Sequence, residues 1–178
     1  MSGPLRIVVT GTESTGKTEL ARQLAAHFEA PWAAEYVREF WDAHQGVRAE
    51  DLDAIARGQI ANEDAAIARA GRVAFFDTDL VSCVLWNDLL FPGACPAWVR
   101  AAAEQRSRAV ALYLLCEADV PFAPDPQRCF PDEAARDRTS ALWRETLRAR
   151  GVRVVGISGE WAARTQLAIA AVQQVLDR

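Results

Sequence analysis

The sequence predicts an α/β fold: three layers around a five-stranded, mainly parallel sheet. Three observations carry this. Short apolar, β-branched runs alternate with longer segments of helical spacing, the mark of repeated strand–helix units. A glycine-rich turn, Gly11-Thr12-Glu13-Ser14-Thr15-Gly16-Lys17-Thr18, stands between the first such run and the first helix. The chain has 178 residues, 51% of them hydrophobic, which suits one sizeable core, and it shows neither an internal repeat nor a linker. A single domain over residues 1–178 is expected.

Leu5 to Thr10 is β-branched and ends at Gly11, so it reads as a buried strand. Lys17 to Phe28 then puts Leu20, Leu24 and Phe28 on one helical face. Pro31 to Ala34 reads as a weak second strand, leading into Glu35-Tyr36-Val37-Arg38-Glu39-Phe40. A helix over 49–70, with Leu52, Ile55, Ile60 and Ile67 inward, stops at Gly71. Val73 to Phe76 is a continuous apolar run, hence a central strand, and it delivers Asp77-Thr78-Asp79 at its C-terminal end. Helices are expected over 80–90 and 97–108, and a fourth strand over 110–116. Pro121, Pro124, Pro126 and Pro131 then exclude regular structure, and a loop that long in a compact domain is usually functional; we expect a lid over approximately 117–138. A helix over 132–149, a fifth strand over 152–157 and a last helix over 160–176 complete a sheet of expected order 2-3-1-4-5, with helices on both faces.

The net charge of −4, with no long basic stretch to offset it, argues against a nucleic-acid partner. Cys83, Cys95, Cys116 and Cys129 form no C-x-x-C pair, so they read as reduced thiols rather than as metal ligands or a disulfide framework. No run approaches the roughly 18 apolar residues of a membrane span, and the stretch before Gly11 is too short for a secretory signal. A cytoplasmic protein with a small-molecule partner, and compatible with a homo-oligomer, is the expectation.

The octapeptide follows the phosphate-binding pattern G-x-x-x-x-G-K-T. Lys17 is the single lysine among 20 Lys and Arg residues. A compact ammonium can sit between the β- and γ-phosphates of ATP, whereas a planar guanidinium cannot enter the same loop without displacing it. Gly11, Glu13, Ser14, Thr15, Gly16, Lys17, Thr18 and Glu19 are the expected nucleotide-binding residues. Thr18 places a hydroxyl on Mg²⁺, and Asp77, ending an apolar strand, is the carboxylate expected to hold that ion. Asp77 and Asp79, two apart on an extended segment, are expected to face the same way, although Asp79 also suits the cap of the following helix. Glu35 reads either as the acceptor of a hydroxyl proton or as a surface acid paired with Arg38. Glu13, a negative charge in a polyanion loop, is expected to point toward metal-bound water or a lid arginine. Arg128 and Arg136 are expected to close over the transferring group, where neutralising charge is most of the catalysis. Among the aromatics, Trp32, Tyr36, Trp41, Trp86 and Trp98 could stack on a ring, Tyr36 gaining from its place beside Glu35; adenine is expected near Ser158-Gly159.

The combination of GTESTGKT, Glu35 to Phe40, Gly58-Gln59 with Glu63, and Phe76-Asp77-Thr78-Asp79 resembles the ribosylnicotinamide kinase domain of the bifunctional NAD-biosynthesis regulator family. Asp119-Val120-Pro121-Phe122 and Asp125-Pro126-Gln127-Arg128 resemble that family's lid, except that Phe122 and Pro126 replace an expected tryptophan and glycine. The resemblance implies a P-loop kinase fold using ATP and Mg²⁺ to phosphorylate the 5′-hydroxyl of nicotinamide riboside, with Lys17, Glu35, Asp79, Arg128 and Arg136 as catalytic candidates and Glu35, Tyr36 and Asp79 at the acceptor. The other readings are a kinase of another nucleoside or nucleotide, and a P-loop ATPase switch with no small-molecule acceptor.

Overall fold

The computed structural model describes residues 3–123, Gln127, Cys129 and 133–178. Five strands form one parallel sheet: β1 (Leu5–Thr10), β2 (Trp32–Ala33), β3 (Val73–Asp77), β4 (Val110–Cys116) and β5 (Val154–Ile157), in the order β2-β3-β1-β4-β5. This is the expected sheet. The helices are α1 (Lys17–His27), α2 (Tyr36–His44), α3 (Leu52–Arg69), α4 (Leu80–Leu90), α5 (Ala97–Ser107), α6 (Glu133–Ala149) and α7 (Trp161–Leu176).

Alternation along each strand divides the core in two. Ile7 and Val9 of β1 and Phe75 of β3 face α1 and α7, where Leu24, Ala168 and Val172 are fully buried. Val8 and Phe76 face the other way, onto α3, α4, α5 and α6, where Ala66, Leu80, Val99 and Trp143 pack. Each large side chain so buried contributes about 1.5–3 kcal/mol.

Three details depart from the sequence reading. The segment after β2 is a helix, α2, whose N-cap is Glu35. β2 has only two residues, because the chain leaves β3 as soon as Trp32 and Ala33 have paired with Phe75 and Phe76. The helix expected from residue 49 opens with a 3-10 turn over Ala49–Asp51, and α3 proper starts at Leu52. The expected helix start at Asp132 lies outside the described residues. No helix among the described residues is long and apolar enough to cross a membrane.

Candidate active site

The glycine-rich loop is built where two backbones crowd. Gly11 has φ 134°, and a Cβ there would lie 2.6 Å from the carbonyl oxygen of Cys116 at the end of β4. Gly16, the N-cap of α1, has φ 77°. A Cβ on it would sit 2.4 Å from the ring of Trp161. The first turn of α1 therefore begins at the loop, with its free N–H groups and positive dipole end directed there, an arrangement suited to phosphate.

Inside the loop, Thr15 Oγ1 and Lys17 Nζ both donate to the carbonyl of Thr12, at 2.9 and 2.8 Å. The ammonium is thus turned back across the turn. Neighbouring helices brace it. Thr12 and Thr139 of α6 share a hydroxyl contact at 2.5 Å, and Trp143 Nε1 donates to Thr10 Oγ1 at 3.1 Å. The buried Arg164 of α7 donates to the carbonyls of Thr15 (3.2 Å), Gly159 (2.9 Å) and Glu117 (2.7 Å), and pairs with Asp119. One guanidinium thereby ties the loop to the C-terminal ends of β4 and β5.

Thr18 Oγ1 donates to Asp77 Oδ2 at 2.5 Å. Asp77 is fully buried and its Oδ1 has no partner among the described residues. Burial, and then the neighbouring Glu35 charge, push its carboxyl up to about 6, against Lys17 and the Thr18 hydroxyl. A hydroxyl beside a carboxylate with an orphaned buried oxygen fits a hard divalent cation such as Mg²⁺, which takes one or two protein ligands and completes its shell with phosphates and water. No cluster of three or more His, Cys, Asp or Glu groups suited to a metal exists among the described residues.

Asp79 does not face the same way as Asp77. Thr78 between them has φ 65°, so the extended alternation fails at that residue. Asp79 instead caps α4: Oδ1 accepts from the amides of Val81 (3.1 Å) and Ser82 (3.3 Å), and Oδ2 accepts from the Tyr113 hydroxyl at 2.6 Å. Burial raises its carboxyl from the usual range, and these three donors oppose the rise.

Glu35 occupies the N-cap position of α2 without capping it through its side chain, and Arg38 Nε donates to its Oε2 at 3.1 Å. The Arg38 pair is the one the sequence offered, and Glu35 also lines a cavity of about 370 Å³. Lys17 and Thr78 also line that cavity, and its apolar walls include Trp41, Trp86, Leu52, Ile55 and Phe91. Tyr36 is not among the lining residues; its ring covers Gly58 of α3, where an added Cβ would come within 2.1 Å. Glu13 turns to the segment after β4, its Oε1 accepting from the Cys129 amide at 2.8 Å, and Ser14 Oγ accepts from the Ala123 amide at 2.7 Å. Glu19 is exposed and paired with Arg22 at 2.9 Å. Arg136 is buried, donates to the carbonyl of Ala118 at 2.8 Å, and keeps Nε and Nη1 without partners among the described residues. Arg128 lies outside the described residues. In the sequence, Arg164, Trp143 and the cavity-lining Asn87 and Phe91 carry no site signal, and Gln59 stands out only as part of a motif.

A family model described as an AAA domain matches residues 6–164. Among curated proteins, the trifunctional NAD biosynthesis/regulator protein NadR of Escherichia coli (strain K12) is 28% identical over 159 residues, covering 86% of this chain and 38% of that protein. The chain thus spans well under half the length of this relative. Among solved structures, NadR protein in complex with NAD and AMP-PNP superposes with a TM-score of 0.74 at 23% identity, over 98% of this chain and 50% of that one. NadR protein in complex with NR gives a TM-score of 0.74 at 22% identity, over 98% and 52%. The motif resemblance and these matches agree, and the fold they share is that of a P-loop kinase.

Proposed function

The chain belongs to the AAA-domain family, and on that footing we propose that it is an ATP-dependent small-molecule kinase that phosphorylates the 5′-hydroxyl of nicotinamide riboside, giving nicotinamide mononucleotide. The observation that carries this reading is the continuity of the phosphate loop with an acceptor-sized cavity, since Lys17 and Glu35 line the same 370 Å³ space. A P-loop that only switched on nucleotide would need no such space beside its lysine.

The amides of Gly11 to Thr18 and the Lys17 ammonium hold the donor's phosphates. Thr18 and Asp77 would hold Mg²⁺, which when bound neutralises phosphate charge. Glu35 orients the acceptor hydroxyl and takes its proton, the work of a carboxylate within hydrogen-bond reach of the attacking oxygen. Arg136, with two nitrogens free of described partners, supplies positive charge from the lid side; Arg128 is assigned the same work on its motif alone. The walls suit the acceptor's flat, positively charged ring: indoles at Trp41 and Trp86 line the space, and Glu13 and Glu35 add negative charge. NadR protein has been solved with NR and with AMP-PNP, which supports the same pair of ligands here.

The test is a panel of ribonucleosides, nicotinamide riboside included, incubated with Mg·ATP and read by mass spectrometry for the monophosphate. Turnover of nicotinamide riboside above all others is expected. Turnover of a different nucleoside would move the acceptor, and turnover of none would overturn the kinase reading.

A further inference from the structure

Glu35 stands beyond the end of the sheet. β2 stops at Ala33, so no ladder bond fixes the two residues that follow. Their backbone is held by α3 instead. Gln59 Oε1 accepts from the Tyr36 amide at 3.0 Å, and Asn62 Nδ2 donates to the Ala34 carbonyl at 3.4 Å. The other end of the Gln59 amide is also engaged: Nε2 donates to Glu63 Oε1 at 3.3 Å and lies 3.5 Å from the carbonyl of Thr78. Tyr36 directly follows Glu35, and Thr78 directly follows Asp77. One side chain therefore spans the backbones that carry the two acids.

Gln59 is itself anchored. It is 1% exposed, and its neighbour Glu63 accepts from Arg106 Nε (3.1 Å) and Nη2 (2.8 Å), while Arg106 also pairs with Asp64 at 2.7 Å. The Glu63–Arg106 contact, one turn along α3, holds the acceptor for Gln59 Nε2 in place, with the glutamine's carbonyl turned to the start of α2. Gly58 adds a steric stop, because any side chain there would strike the Tyr36 ring. Although Gln59 reaches the cavity wall, both its polar atoms are committed to protein groups.

We infer that Gln59, held by Glu63 and Arg106, is the positioning residue that sets the Glu35 carboxylate against Asp77 and the phosphate loop. This rests on the reading of the chain as a kinase with Glu35 at the acceptor hydroxyl. A misplacement of about 1 Å at a reacting group can lower a rate about a hundredfold, so loss of the tether should register in turnover rather than in nucleotide binding.

The experiment compares the full chain with Gln59→Met, which keeps the side chain's length and removes its hydrogen bonds. With Mg·ATP and whichever nucleoside the wild type phosphorylates, we expect kcat to fall about tenfold or more while the KM for Mg·ATP stays within about twofold. Amide hydrogen exchange should quicken over residues 34–40 and stay unchanged over 11–18. Unchanged turnover, unchanged exchange over 34–40, or a KM for ATP that rises as turnover falls would overturn the inference. Should Gln59→Met fail to fold, Asn62→Ala, which cuts the second tether alone, is read by the same criteria with a few-fold loss expected. A wild type that transfers no phosphoryl group overturns the kinase reading and this inference together; an active wild type with an indifferent variant overturns this inference alone.

Discussion

The hydroxyl of Thr18 donates to Oδ2 of Asp77 at 2.5 Å and leaves Oδ1 of the same carboxylate buried without a described partner. Such a carboxylate is held at a cost to the fold. Its folded value of about 6 lies above the unfolded 3.8, so its charge opposes folding above about pH 6 and has no such effect below pH 3.8. Asp77→Asn should therefore raise the thermal midpoint at pH 8, measured without Mg²⁺, by several degrees, corresponding to about 1–3 kcal/mol. At pH 4 the midpoints should converge. Phosphoryl transfer at pH 8 should drop about a hundredfold or more in the same protein. Melting curves at the two pH values and steady-state rates check both halves, and equal midpoints at pH 8 would refute the stability argument.

Asp79 and Glu35, both candidates for one role, should part company under mutation. Asp79→Ala strips the cap from α4 and leaves the Tyr113 hydroxyl and two amides without their acceptor, a loss of roughly 2–4 kcal/mol. Glu35→Gln removes one partly exposed ion pair with Arg38 and should change stability by less than about 1 kcal/mol. Its effect belongs to chemistry: turnover falls about 10²–10⁴-fold while Mg·ATP still binds. Urea unfolding and calorimetric titration with ATP separate the two. A Glu35→Gln protein with full turnover would show that another group takes the proton.

The fold was legible because its signals are local. Apolar runs, punctuating glycines and the G-x-x-x-x-G-K-T spacing each act within a few residues, and the sheet order is the one expected once that spacing marks a P-loop fold. The Thr18–Asp77 contact was legible for the same reason, since the loop spacing places Thr18 at the start of α1 and an apolar run places Asp77 at the end of β3. The site was not legible where three-dimensional placement decides. Nothing local announces that Thr78 adopts φ 65° and sends Asp79 to a helix cap, since a β-branched residue is a poor prior for that conformation. Nor does spacing show that Tyr36 spends its ring on Gly58 and leaves the cavity to Trp41, Trp86 and Phe91. Arg164 did leave a trace: it occupies the helical stripe of Ala168, Ala171 and Val172, and an arginine on a core stripe must find buried acceptors.

Gly16 offers a test of loop geometry that does not depend on the acceptor. Gly16→Ala places a Cβ in a left-handed backbone, at about 1–2 kcal/mol, and drives it into the Trp161 ring 2.4 Å away. The variant should lose stability and about tenfold or more in nucleotide affinity. Adding Trp161→Ala clears the clash but not the backbone strain, so the double variant should recover part of the loss, with a coupling of about 0.5–3 kcal/mol. Thermal melts and nucleotide titrations of the two single variants and the double one decide it; strict additivity would mean that the ring moves aside freely.

Glu63 gives the last prediction, because its burial is tied to the tether on Glu35. Burial, then the Asp79 charge, push its carboxyl from 4.5 up to about 7, against the attraction of Arg106 and the hydrogen bonds from Arg106 and Gln59. The folded value lies above the unfolded one, so between pH 4.5 and about 7 the folded protein holds a proton that the unfolded chain has released. Stability is then greatest below pH 4.5 on account of this group and declines as pH rises toward 7, by an amount on the order of 3 kcal/mol. Glu63→Gln keeps the shape and an oxygen for Gln59 but cannot ionise, so this part of the slope should vanish and the variant should gain on the wild type as pH increases from 5 to 8. Measuring urea midpoints of both proteins across that range checks the sign directly. A wild type that instead gains on the variant toward pH 8 would mean that Arg106 overcomes burial and holds Glu63 charged in the folded state.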